Sequence, residues 1–430
     1  MTLSVAVRPE CYRLENGLRV VLAPDPSRPV VGVSVHYAAG FRAEPPPHEG
    51  LAHLVEHLMF GGSAHVGPME HATRILAAGG SLNATTRPDH TVYFQVVPAG
   101  AAELALFLEA DRMRSLRLTE DGLAAQVAVV KDEIALSVSN QPYGGFPWLL
   151  LPPVMFEGFA DRHNGYGEPD RLDAITLADA EAFVERFHSP ANAVLTVAGG
   201  APSAMLRAMV ERHFGGVPAG RGSARRRTAG PAPTASRRET HLDPFAAEPA
   251  LAVGWRAPDP ATAPGPYLAW VLLADVLADG PTSRLHRRLV GRERLARSVS
   301  GYLGAFGEPF AAAGPVPFQL EVYHPAGVTP DRVLGAIEEE IGELAAAGPE
   351  PDELARVRRK AAAALLRSHD QVLERTLALG ALHLHRGHAA LADTLPELLL
   401  EISAERVHAA ARAVAEAPRA VLELRPRDER

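Results

Sequence analysis

A single cysteine, Cys11, is present in 430 residues, which rules out an intrachain disulfide and any metal site built on cysteine. Long apolar runs are missing too: no stretch approaches the ~18 consecutive apolar residues of a membrane span. Between Met1 and Arg19 the one apolar run is Leu3–Val7, ahead of Arg8-Pro9 and too short for a signal-peptide core. A cytoplasmic chain with no membrane association is therefore expected. Nor is there a basic excess. With 43 Lys and Arg against 51 Asp and Glu, the net charge is -8, which argues against nucleic acid as a partner and is accounted for by solubility. No serine or cysteine nucleophile motif is present, and the spaced glycines of Gly301–Gly307 lack the strand-then-helix context of a phosphate loop.

What is present is enough chain for two domains or two large halves. Leu18–Leu22 and Val30–Tyr37 are β-branched runs bounded by Asn16-Gly17 and prolines, and read as strands. Gly50–Phe60 reads as a buried helix, with Leu51, Leu54, Val55 and Leu58 on one face and Gly61-Gly62 as its stop. Helices are expected near Met69–Ala78, Ala101–Leu116 and Glu120–Ser139, and strands at Thr91–Val97 and Ala193–Gly199. Residues 216–240 are rich in Gly, Pro, Ala, Ser and Arg and read as a linker. Beyond it, strands at Ala250–Trp255 and Phe318–Tyr323 and a helix at Tyr267–Ala278 repeat the earlier order loosely, with Ala-rich helices filling the remainder. The expected domains are 1–215, a catalytic half, and 241–430, a homologous half without a metal site.

The chemistry concentrates in His53-Leu54-Val55-Glu56-His57. At about 100° per residue, His57 lies about 40° and Glu56 about 300° from His53, so all three share one arc of the helix. Imidazoles at i, i+4 suit a single zinc, and Glu56 beside them can take a proton from zinc-bound water without being a ligand. This His-x-x-Glu-His order is the inverzincin pattern. A catalytic zinc wants a third protein ligand, and Glu133, at the margin of the apolar stripe Leu123, Val127, Val130, Ile134 and Val138, fits that need. The pattern alone leaves two readings standing: a metal site, or two histidines hydrogen-bonded in a core. Against the second, an unpaired Glu between them is expensive to bury. His383, His385 and His388 share no helical face, and a helix terminus or solvent accounts for them.

The stretch Gly50–Ser63 closely resembles the active-site helix of the pitrilysin/insulinase family of zinc metallopeptidases. Gly79–Thr86 with His90–Tyr93, and Val129–Ile134, resemble two further segments of that family. The resemblance implies an α+β fold of two homologous α/β-roll halves, each a mostly antiparallel sheet packed with helices, together forming half of a clam-shell chamber. It implies zinc held by His53, His57 and Glu133, Glu56 as the base, and Asn83 and Ala84 on a strand that pairs with extended substrate. The rival reading of Asn83 is a turn residue after two glycines.

Two departures stand out. Where family members often carry a further acid before the third ligand, this chain has Gln126, which removes a carboxylate behind the site. In the second half, a segment similar to Ser283–Val299 carries an Arg and a Tyr in self-sufficient members; here those positions are Val290 and Arg297. The chain thus resembles the zinc-bearing subunit of a heterodimeric endopeptidase, whose homologous partner supplies Arg and Tyr. A homodimer in which Arg297 substitutes, and a non-catalytic scaffold or processing subunit of the same fold, are the alternatives.

Overall fold

Alternation within the strands explains how the layers stack. In Val30–Tyr37, Val31, Val33, Val35 and Tyr37 point to one face, and Gly32, Ser34 and His36 to the other; from Val31 onward every residue is buried. Such a strand must lie inside a sheet with both faces covered. The computed structural model describes residues 8–220, 230–304 and 306–427 and places it there.

The strands are β1 (Glu10–Arg13), β2 (Arg19–Pro24), β3 (Val30–Tyr37), β4 (Ser81–Thr86), β5 (Thr91–Pro98) and β6 (Ala193–Gly199). They form one sheet in the order β1-β2-β6-β3-β5-β4. Its β2–β6 pair is parallel and the other pairs are antiparallel. A second sheet is built from β7 (Arg237–Asp243), β8 (Ala250–Arg256), β9 (Ser298–Leu303), β10 (Pro317–Tyr323) and β11 (Ala420–Pro426), in the order β7-β11-β8-β10-β9. Here β7–β11 is the parallel pair and the rest are antiparallel. Setting β1 aside, both sheets follow one path: first strand, fifth, second, fourth, third. The expected α+β fold with two like halves is what the chain adopts.

By contact the chain forms two units that do not follow chain order. Over the described residues, one comprises Met1–Asp132, Asn164–Arg227 and Leu365–Leu395; the other comprises Glu133–His163, Thr228–Ala364 and Pro396–Arg430. In the first unit the helix Val372–Arg386, from late in the chain, covers the small-residue face of β3 and β6. A Cβ on Gly380 would lie 2.4 Å from His36 Cε1, and one on Gly32 would lie 2.4 Å from Thr376 Oγ1. Glycine at these two places sets how closely helix and sheet approach. In the second unit the early segment plays the matching part. Phe146, Leu151, Val154 and Met155 pack on Ala250, Ala252, Ala420, Leu422 and Leu424.

Of the linker expected at 216–240, residues 221–229 lie outside those described, and from Arg237 onward the chain is strand β7. The Ala-rich helices end at Glu416, after which β11 completes the second sheet. The helix expected to run to Ser139 is α-helical over Glu120–Ile134 and widens to a π-helical turn over Ala135–Ser139. The contact boundary falls in the last turn of this helix, whose body belongs to the first unit. Among the described residues no helix is long and apolar enough to cross a membrane.

Candidate metal centre

The helix Leu51–Leu58 starts without a Ser, Thr, Asp or Asn cap. Instead the buried Glu44 carboxylate reaches back to it, accepting from Gly50 N–H at 3.0 Å and Ala52 N–H at 2.7 Å. An anion at a helix N-terminus satisfies orphan donors and opposes the positive end of the helix dipole. Leu51, Ala52, Leu54, Val55 and Leu58 anchor the inner face, so His53 and His57 are carried half-buried on the adjoining arc. Past the helix, Asp111 accepts from Ser63 Oγ at 2.5 Å and from His65 N at 3.1 Å, fastening the turn after Gly61-Gly62. Burial alone would raise the Asp111 carboxyl, but the Ser63 and His65 hydrogen bonds outweigh it and hold it below the usual range.

His53 Nε2 and His57 Nε2 lie 3.3 Å apart, with the rings perpendicular. The helix Glu120–Ile134 brings Glu133 to them: one ligand atom from each of His53, His57 and Glu133 lies within 4.8 Å of the others. Among the described residues this is the one group of three such side chains placed to share a metal ion. Gln126, two turns earlier on Glu133's own helix, sets its Oε1 3.3 Å from His57 Nδ1. An amide oxygen can only accept, so Nδ1 carries the proton and Nε2 keeps its lone pair for a metal. The missing carboxylate at 126 therefore does not leave the ring unoriented. Tyr166 packs its ring edge-to-face on His53 at 5.0 Å. Its loop is held by Asn164 Oδ1, which accepts from Tyr166 N–H at 2.8 Å and Gly167 N–H at 3.0 Å.

Glu56 is buried, and its Oε2 accepts from Thr86 Oγ1 at 2.6 Å. The phenol of Tyr93 is pushed well above its usual range, by burial first and by the negative charge of Glu56 next. Asn83 and Ala84 lie within β4, at the sheet edge, so Asn83 is a strand residue rather than part of a turn. In the second unit Val290 is half-buried in the wide-turned segment His286–Arg292. The guanidinium of Arg297 faces Glu248 at 3.0–3.3 Å, an exposed pair. Of the trailing histidines, His383 and His385 are on the last turn of Val372–Arg386, and His385 is not solvated. Its Nε2 lies 3.0 Å from His90 Nδ1.

Glu44, Thr86 and Tyr166 are the contributors that motif reading did not single out. Thr86 falls within the Gly79–Thr86 stretch, whose likeness to the family was its one signal. Glu44 and Tyr166 reach the helix through folding alone.

Two imidazoles whose Nε2 atoms face each other and one carboxylate make a donor set of the kind a three-ligand zinc site uses, and the donors fit that ion. Comparison with known proteins shows the family. Residues 19–143 match the family model described as insulinase (peptidase family M16), and residues 174–361 match the M16 inactive domain. An uncharacterized zinc protease of Mycobacterium leprae is 30% identical over 350 residues, 78% of this chain and 73% of its own. One from Mycobacterium tuberculosis is 28% identical over 95% of this chain and 91% of its own. A protease from Helicobacter pylori superposes with TM-score 0.86 at 21% identity, covering 98% of this chain and 100% of that one. The first half of the periplasmic protease PqqL from Escherichia coli gives 0.78 at 17%, with 99% and 93% covered; against complete PqqL the match spans 48% of its length. The chain belongs to the insulinase (M16) family of zinc proteases.

Proposed function

We propose that the chain is the zinc-bearing subunit of a metalloendopeptidase that cleaves peptides or unfolded segments enclosed in a chamber, with His53, His57 and Glu133 as ligands and Glu56 as the base. The convergence of those three donors beside a buried acid that is not one of them carries this reading. When bound, zinc polarises the scissile carbonyl and lowers the pKa of its water toward about 7. Glu56 takes the proton of the attacking water and delivers it to the departing amine nitrogen. Gln126 keeps His57 in the tautomer that can ligate. Strand β4 has β5 on one side and is the sheet edge on the other. Backbone groups at Asn83 and Ala84 there receive an extended substrate as an added strand.

Val290 offers no donor, and the Arg297 fork is engaged by Glu248. Stabilisation of the developing oxyanion therefore falls to an Arg and a Tyr from a homologous partner. One named relative is itself a subunit, the mitochondrial-processing peptidase subunit beta of Blastocladiella emersonii, 27% identical over 50% of this chain. The chain would then supply two quarters of a four-part shell, in keeping with a match to about half of PqqL. The test is cleavage of quenched fluorescent peptides by the chain alone and with its partner. Glu56→Gln is expected to retain zinc and lose at least ~100-fold in kcat. Undiminished cleavage by Glu56→Gln would remove the base. Full activity of the isolated chain as a monomer would remove the partner, and zinc binding without cleavage under any pairing would favour a scaffold.

A further inference from the structure

The carboxylate proposed as the base is not held by its own helix alone. Thr86, the last residue of β4, donates its hydroxyl proton to Glu56 Oε2 at 2.6 Å. A second oxygen, Thr91 Oγ1, lies 3.4 Å from Thr86 Oγ1, yet the proton of Thr91 is directed to Ala39 O at 2.9 Å. Each hydroxyl has one proton to give. Thr91 gives its own to the backbone, and the shorter contact takes that of Thr86 to Glu56. Thr86 and Thr91 are also cross-strand partners in the β4–β5 register, so the donor is braced by the sheet rather than carried on a mobile loop.

We propose that Thr86 is a positioning residue for Glu56, fixing the orientation of its carboxylate and tying that carboxylate to the strand that receives the substrate. The proposal rests on the reading of Glu56 as the base. A hydroxyl donated to an ionised carboxylate is a short, charge-assisted bond that favours one rotamer of a flexible side chain. Thr86 lies three residues beyond Asn83 on one strand, so a peptide pairing along β4 lies on the element that orients the base. Substrate entry and base orientation thereby share a support.

The competing role is purely structural: a hydroxyl that satisfies a buried acid, whose loss loosens the fold or the metal site without affecting turnover selectively. The pair Thr86→Val and Thr86→Ser separates the two, because valine keeps the shape and serine keeps the donor. The measurements are kcat and KM on a fluorogenic peptide, zinc per chain and thermal midpoint, on the full chain with its partner where cleavage requires one. Thr86→Val is expected to hold its zinc and KM while kcat falls about tenfold or more, and Thr86→Ser to recover to within about threefold of the original. In the Glu56→Gln background, adding Thr86→Val is expected to cause no further loss. If Thr86→Val fails to fold, Thr86→Ala against Thr86→Ser makes the same comparison.

A kcat within twofold of the original in Thr86→Val overturns the proposal. So does a loss expressed in KM or zinc content, or a Thr86→Ser as impaired as the valine variant. Loss of the base reading itself shows separately, as a Glu56→Gln chain that still cleaves.

Discussion

His188 illustrates how a residue away from the metal centre shapes the response to acid. Its ring lies 4.6 Å from that of Tyr37 and 6.0 Å from that of Phe183, and both ring nitrogens are buried without a hydrogen-bond partner. Burial, assisted by the Arg112 guanidinium, depresses its pKa to about 3. The unfolded chain regains an ordinary histidine near pH ~6.5 and binds the extra proton below it, so the penalty is absent above that pH and grows as the pH falls toward about 3. At pH 5 it amounts to about 2 kcal/mol. Replacing His188 with Phe is expected to raise stability in urea by about 2 kcal/mol more at pH 5 than at pH 7. An equal effect at both would contradict the assignment. At this scale the sequence exposed what lies within a turn of the motif: the two histidines and the acid between them, on one arc. It did not expose the Gln126 and Thr86 bonds to His57 and Glu56, because those partners are brought in by other elements. Sequence reading took the amide at 126 as a loss, whereas the structure has it accepting from His57 Nδ1.

Among elements, the helix Val372–Arg386 is the clearest case of packing overruling local preference. Alanine is the better helix former by about 1 kcal/mol, so Gly380→Ala would stabilise an exposed helix. Here the added Cβ would meet His36 at 2.4 Å and Thr196 Oγ1 at 2.9 Å, both buried on the sheet beneath. Overpacking of this kind outweighs the propensity gain, and a net loss of about 1–2 kcal/mol in urea unfolding is expected for Gly380→Ala. A gain would mean that helix and sheet are less closely packed than described. Strands β2, β3, β5, β6, β8 and β10 were legible because their residues are apolar and β-branched. Strand β9, Ser-Val-Ser-Gly-Tyr-Leu, was not, since an edge strand buries too little to leave an apolar run. Strand β11 was hidden by the Ala-rich helices before it, and β7 by the linker-like composition around it.

At the scale of the whole chain, the repeated strand path gives two halves of one plan, and one of them carries the histidine pair. That plan was visible in the loose repeat of strand and helix signals. The placing of Glu133–His163 and Leu365–Leu395 in units remote in sequence was not, because a small-residue strand face does not say which helix covers it. Everything proposed about activity depends on whether the three donors hold one ion. The direct measurement is zinc content and affinity, by competition with a chromogenic chelator, for the full chain and for Glu133→Gln. One zinc per chain is expected, with affinity reduced at least ~100-fold when the third ligand loses its charge. A chain that binds no zinc, or binds it equally well after Glu133→Gln, would contradict the metal centre described here.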